Sequence, residues 1–414
     1  MSRATRRVVI TGVGAITPIG NNLQQIEHSL KESLSGVKAI SLFDTENLPV
    51  KFAGECSAFK PEDFLDPKEI RRNDRFIQMC LAATEMAVQH ANINPDDLKR
   101  AGVAIGVGLG GLYSIEEGAL ELQRGGARKI SPFFIPSVLA NLASGQISIR
   151  YQTKGANFAI SSACASGSQA IGHAYREIQA GRRDLWIAGG AEAPITPLSI
   201  AGFSAARALS RRNEEPLLAS RPFDQDRDGF VLGEGAASFI IESLDSAVKR
   251  KAPIYAEIIG FGIASDGYHI TEPDPHGEGA YLAMKEALDD AGIDAKDINY
   301  INAHATSTPL GDRVESIALE RIFAEDIGSV FVSSTKSLTG HACGAAGALE
   351  TAFCTLMLDK GFLPPAFNLD KMDEDFRFRS PGIAELQVQP RLIMNNSFGC
   401  GGLNTSMILL KAEE

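Results

Sequence analysis

The sequence predicts an α/β fold made of two related halves, and three observations carry that prediction. Short apolar runs alternate with stretches of helical periodicity along the chain, which is the pattern of strands joined by helices. A strand end, paired serines, small residues and a long apolar helix closed by glycine occur in SSACASGSQAIGHAYREIQAG, from Ser161. The same order returns in SSTKSLTGHACGAAGALETAFCTLMLDKG, from Ser333, as an internal duplication would leave it. The residues with chemical potential also fall where strands end: Cys164 in the first copy, His304 and His341 in the second half.

A chain of 414 residues with 44% hydrophobic and 22% charged residues has ample material for one large core or two medium ones. Forty basic against 51 acidic residues leave a net charge of −11, which argues against a general affinity for nucleic acid or an anionic membrane. An acidic partner would need a local basic patch. The six cysteines (Cys56, Cys80, Cys164, Cys343, Cys354 and Cys400) form no CxxC pair and no zinc spacing with histidine, so no metal site is predicted and a reducing cytoplasm fits. Gly12, Gly14, Pro18 and Gly20 break the first apolar run far short of a membrane span, and the start MSRATRR shows no targeting signal.

In chain order, Val8 to Thr11 reads as a first buried strand followed by Gly12-Val13-Gly14. That resembles a dinucleotide turn, but Thr17 and Pro18 stand where the third glycine belongs, so a nucleotide is not expected. In PEDFLDPKEIRRNDR, Lys68, Arg71 and Arg72 share one face if helical: a solvated face by default, a dock for an acidic carrier or cofactor phosphate otherwise. Arg124, Arg128 and Lys129 form a looser cluster. Val103 to Val107, Leu185 to Ala188 and Ala237 to Ile241 read as further strands of residues 1–250, and Ile254 to Ile259, Tyr300 to Ala303 and Val330 to Ser333 as strands of residues 251–414.

Ala159 and Ile160 end a strand, while Ala170, Ile171, Ala174, Tyr175 and Ile178 recur at helical spacing, so Cys164 falls near a helix's first turn. Unpaired N–H groups and the helix dipole favour a thiolate there, and small neighbours leave room for a substrate. A single cysteine is more often structural. His304 and His341, in equivalent turns of a repeated half, tip the balance toward a shared cleft, with Lys336 placed to tune their protonation.

The segments around Cys164 (SSACASG), His304 (NAHATSTPLGD) and His341 (STKSLTGHACGAAG) resemble those of the β-ketoacyl-[acyl-carrier-protein] synthases. SRPFDQDRDGFVLGEGA from Ser220 and NNSFGCGG from Asn395 extend the likeness, which runs from Val8 to the C-terminus and is nearest the elongating type II enzymes. The resemblance implies a thiolase-like fold: two duplicated βαβαβαββ-type halves, 1–250 and 251–414, stacked as a five-layer αβαβα core in a homodimer.

The resemblance further implies that Cys164 takes an acyl group from a carrier thioester. His304 and His341 would stabilise the enolate formed when a malonyl thioester loses carbon dioxide. Lys336 and Glu350 match active-site positions that set local charge, and the N–H groups of Cys164 and Cys400 match an oxyanion hole, with Phe398 beside them. Thr306 and Thr308 match the contacts to the phosphopantetheine arm, which the carrier protein brings; the enzyme itself is expected to bind no cofactor. Threonine hydroxyls also cap turns, and both roles can hold together. Lys68, Arg71, Arg72 and Arg207 match the docking surface for acyl carrier protein. His269 and Thr271, in SDGYHIT, match positions that either help decarboxylation or order their loop.

One segment departs from the family. Cys400 stands where a gating phenylalanine is usual, and Leu403 where threonine or histidine is usual. A backbone N–H survives the change, so activity is expected with altered acyl-chain selectivity, and a second thiol beside Cys164 implies sensitivity to oxidation. A thiolase-type acyl-CoA acetyltransferase would use a second catalytic cysteine and one histidine; a chain-length-factor partner would lack Cys164.

Overall fold

The computed structural model describes residues 6–413; Met1–Thr5 of the start MSRATRR, and Glu414, lie outside the described residues. Ten strands form one sheet: β1 Val8–Ile16, β2 Gly102–Gly106, β3 Asn157–Ile160, β4 Leu185–Glu192 and β5 Gly235–Ser243, then β6 Ala256–Ser265, β7 Tyr300–Asn302, β8 Phe331–Ser333, β9 Leu392–Gly399 and β10 Leu403–Lys411. Their order is β8-β7-β9-β10-β6-β1-β5-β4-β2-β3. Each set of five repeats the other. β2 runs parallel to β3 and β4, as β7 does to β8 and β9, whereas β5 is antiparallel to β4 and β1, as β10 is to β9 and β6. The two sets join only where Val8, Val9 and Ile10 pair with Ile258, Glu257 and Ala256.

Helices α1 Pro67–Arg72, α2 Arg75–His90, α3 Leu142–Tyr151, α4 Ser166–Gln179, α5 Glu278–Ala291, α6 Pro309–Phe323 and α7 Ala346–Lys360 complete the layers. α4 and α7 lie between the two five-stranded sets, with α2 outside the first and α5 outside the second. Ala346 to Leu358 of α7 is buried throughout, the signature of a helix that is apolar all round and enclosed on every side. α4 meets it closely, since a Cβ on Gly167 would fall 2.9 Å from Ala348 N.

β1 does not stop at Thr11 but runs on through Gly12 and Gly14. Both glycines serve helix packing: added Cβ atoms would meet Ala87 O at 2.3 Å and Ala83 O at 2.1 Å on α2. Gly260 and Gly262 of β6 repeat the device against Ala287 O and Ala283 O of α5, at 2.2 and 1.9 Å. A GxG inside a strand, pressed on a helix flank, presents no N–H cradle to a phosphate, so the dinucleotide likeness has a structural cause.

β3 is the edge of the sheet and only half-buried, against the buried strand expected before Cys164. The hairpin of β9 and β10 supplies two long strands that the sequence did not mark. No helix among the described residues is long and apolar enough to cross a membrane.

Candidate active site

Cys164 stands in a tight turn between β3 and α4. Ala163, just before it, is left-handed with φ 49°, a conformation that costs a residue bearing a Cβ about 1–3 kcal/mol and therefore must be held. Ser166 does so: its Oγ donates to Ala163 O at 2.6 Å and accepts from Ser162 N–H at 2.9 Å. The loop after β9 closes the other side, where a Cβ on Gly399 would lie 2.7 Å from Ser162 O and 3.2 Å from Cys164 N. The matching turn before α7 has Cys343 at φ 44°, so the counterpart of Cys164 is Gly344.

His341 comes to Cys164 from the second half, with Nε2 2.9 Å from Sγ. Its backbone is pinned by N–H donation to Val231 O at 2.7 Å and acceptance from Gly233 N–H at 2.9 Å, and Phe230 packs edge-on to its ring at 5.5 Å. His304 lies 5.4 Å from the His341 ring at 85° and faces Phe398 at 5.7 Å. Burial and then Lys336 hold His341 down at about 3, and burial, Lys336 and His341 hold His304 well below the ordinary imidazole range. Both rings are neutral near pH 7. Each Nδ1 is buried without a protein partner.

Lys336 reaches the cluster from beneath, paired in the core with Glu350 of α7, both almost wholly buried. Burial raises Glu350 to about 7, partly offset by Lys336. A second buried carboxylate, Glu315 of α6, escaped the sequence reading. It accepts from His304 N–H at 2.9 Å and Ala305 N–H at 2.7 Å and so fixes the His304 turn. An acidic residue on the buried face of an amphipathic helix, beside Val314, Ala318 and Leu319, was the available signal. Glu192, at the end of β4, likewise accepts from the N–H groups of Gly108, Leu109, Gly110 and Gly344, tying the first half to the second.

The Ser220 to Ala236 segment straps both histidine turns. Ser220 Oγ donates to Lys336 O at 2.8 Å, Arg221 N–H to Ser307 Oγ at 3.0 Å and Gly229 N–H to Ser307 O at 3.0 Å. Thr308 caps α6 by accepting from Gly311 N–H, and its Oγ1 is 3.3 Å from that of Thr306; both are partly exposed.

Cys400 is exposed in the turn Gly399–Gly402, with Leu403 opening β10 behind it. Its thiol interacts with that of Cys164. That contact, burial and the nearby Cys343 push Cys164 up, while donation from Cys164 brings the more exposed Cys400 down to about 6. His269 and Thr271 lie on an exposed loop. His269 Nδ1 accepts there from Thr271 N–H and Glu272 N–H, and the loop meets the Cys400 turn through Gly401 N–H donating to Ile270 O at 3.0 Å. Both residues thus lie on a loop that adjoins the Cys400 turn.

Lys68, Arg71 and Arg72 are exposed on α1, whose N-terminus carries an Asp66–Glu69 capping box. Among the described residues none of the three forms an ion pair; Glu69 is taken by Arg150 instead. Arg207 is exposed after a separate helix, Pro197–Ala205. No group of His, Cys, Asp and Glu able to hold a metal ion is found among the described residues.

Two matching halves, with a cysteine at one central helix and two histidines delivered by the other half, define a thiolase-like fold. The family models described as the β-ketoacyl synthase N-terminal and C-terminal domains match residues 5–247 and 255–370, and the chain belongs to the β-ketoacyl synthase family. It is 48% identical to 3-oxoacyl-[acyl-carrier-protein] synthase 2 of Coxiella burnetii, across 98% of both chains. With the Vibrio cholerae enzyme of the same name it shares 45%, across 97% of this chain and 98% of that one. Among solved structures, a β-ketoacyl synthase from Burkholderia phymatum superposes with TM-score 0.89 at 36% identity, covering 99% of this chain and all of the other. A type II PKS acyl-carrier protein in complex with its ketosynthase bound to the hexaketide matches with TM-score 0.91 at 31% identity over the same shares.

Proposed function

We propose that this chain is an acyltransferase that catalyses the decarboxylative Claisen condensation of malonyl-carrier protein with an acyl group held on Cys164, giving a 3-oxoacyl chain two carbons longer in fatty acid elongation. The observation that carries the reading is the approach of His341 Nε2 to Cys164 Sγ at 2.9 Å, with the His304 ring 5.4 Å from that of His341. The relatives named 3-oxoacyl-[acyl-carrier-protein] synthase 2 support it over a thiolase or a non-catalytic partner subunit.

Cys164 attacks the acyl thioester, forming a new thioester and releasing the carrier thiol. The carrier's phosphopantetheine arm enters past Thr306 and Thr308, and the enzyme needs no bound cofactor of its own. Because each buried Nδ1 has no acceptor near it, the tautomer with the proton on Nε2 avoids an orphaned N–H. His304 and His341 then offer Nε2–H groups to the thioester oxygen of the malonyl group as carbon dioxide leaves, and the resulting carbanion attacks the acyl-Cys164 carbonyl. The N–H groups of Cys164 and Cys400 receive the oxyanion, while burial and then Lys336, paired with Glu350, keep both imidazoles neutral.

Lys68, Arg71, Arg72 and Arg207 form the proposed seat of an acidic acyl carrier protein; the carrier complex of the related ketosynthase supports that choice of partner. The unpaired side of β3 supports pairing with a second copy in a homodimer. Six free cysteines suit the reducing cytoplasm. Residues 1–250 supply the nucleophile and 251–414 the histidines.

The test is condensation of malonyl-carrier protein with a ladder of acyl carrier proteins, read by mass spectrometry beside Cys164→Ala. Products two carbons longer, absent in the variant, are expected. Turnover of acetyl-CoA without elongation of any primer would overturn the reading.

A further inference from the structure

We propose that Cys400 is a site of reversible oxidation by hydroperoxides, and that Cys164 resolves its sulfenic acid into a Cys164–Cys400 disulfide that withdraws the nucleophile. The consequence for activity rests on Cys164 being the nucleophile; the disulfide itself does not.

Four of the six cysteines are buried and Cys164 is partly so, leaving Cys400 as the exposed thiol. The backbone of Gly399 reaches Cys164 N, with only 3.2 Å between that nitrogen and a Cβ built on the glycine, so the next residue, Cys400, is carried by the turn that abuts Cys164. The turn can also yield. Gly401 and Gly402 are left-handed at φ 86° and 73°, and Gly401 has open space around its Cα.

The two thiols divide the chemistry between them. Donation from Cys164 draws Cys400 down to about 6, whereas that contact and then burial push Cys164 up and keep its proton on. Thiolate character and access select the residue that meets peroxide first. The Cys400 thiolate attacks the outer oxygen of ROOH, the O–O bond breaks, and the alkoxide leaves as ROH after taking a proton. The Cys164 sulfur then attacks the Cys400 sulfur; the S–O bond breaks, and hydroxide leaves as water with the Cys164 proton. Two electrons pass from the thiol pair to the peroxide, and a dithiol reductant returns them. An acylated Cys164 has no free sulfur, so enzyme in mid-cycle cannot close the bridge.

The experiment treats the full-length protein with stoichiometric hydrogen peroxide, alkylates the remaining thiols, and maps peptides without reduction. Loss of two alkylatable thiols and a Cys164–Cys400 linked peptide are expected, together with loss of condensation that dithiothreitol restores. Prior acylation from an acyl carrier protein should suppress the cross-link. In Cys400→Ser, compared with its own untreated sample, excess peroxide, two equivalents consumed per thiol, should drive Cys164 to sulfinic acid, which dithiothreitol does not reverse. Oxidation of Cys164 with Cys400 still alkylatable, or a Cys164–Cys343 bridge, would overturn the proposal. The cross-link is read by mass alone. Elongation without a cross-link therefore sinks this proposal only, and a cross-link without elongation sinks only the synthase reading.

Discussion

Ala163 and Cys343 hold the same left-handed conformation, φ 49° and 44°, at the entrances of the two helices that meet in the middle of the molecule. The turn that presents a nucleophile in one half is kept in the other, where the nucleophile's place is taken by Gly344. That glycine is required by the packing, because a Cβ would stand 2.3 Å from Gly108 N and 2.5 Å from Glu192 Oε2.

Gly344→Ala should accordingly displace the Gly108 loop and the His341 turn together. Overpacking of this kind costs about 1–3 kcal/mol. We expect a lower denaturant midpoint and reduced condensation; a variant with native stability and full activity would show that the two halves are not braced through Glu192.

Glu192, Glu315 and Glu350 are each raised by burial from 4.5 to about 7. A carboxyl raised in the folded state contributes stability that is fully present below its unfolded pKa of about 4.5 and lost as pH rises through about 7. Tm should therefore fall between about pH 5.5 and pH 8, and the fall should shrink in Glu192→Gln. A Tm that climbs over this range in calorimetry would contradict the assignment.

Replacing His304 by alanine should slow condensation by about 10²–10³-fold, the usual effect of losing one oxyanion donor. Acylation of Cys164, read as the mass of the acyl-enzyme, should largely survive because His341 remains beside the sulfur. Since both histidines are held neutral, the wild-type pH–rate profile should show no limb near the ordinary imidazole value of 6.5. Such a limb, lost in His341→Asn, would mean that imidazolium takes part.

Reversing Lys68, Arg71 and Arg72 to glutamate should raise KM for carrier-protein substrates by about tenfold with kcat nearly unchanged, and added salt should narrow the gap. Pantetheine thioesters lacking the protein should be turned over as before. Equal losses on both substrates would place the patch's role inside the fold instead.

Much of this was legible because the same physics was written twice. The second copy of the strand–small residue–helix unit announced the duplication. The resemblance in the Cys164, His304 and His341 segments pointed to their shared site, and the geometry brings those three together. What stayed hidden depended on partners distant in sequence. Thr17 and Pro18 already excluded a phosphate turn, but the packing role of Gly12 and Gly14 showed only with Ala83 and Ala87 against them. Glu315 escaped the sequence reading because its partners, the His304 and Ala305 amides, reach it only in the fold.

The sequence by itself determined the α/β class, the twofold repeat and the residues able to do acyl-transfer chemistry. Period, turn chemistry and residue type are local properties, and a local pattern can express them. Only the tertiary structure decided which groups are neutral, which turn is strained and which loop closes on Cys164. Burial and contact arise when segments far apart in the chain are packed together, and it is that packing which holds His341 unprotonated, fixes Ala163 in its left-handed turn and brings the Gly399 turn onto Cys164.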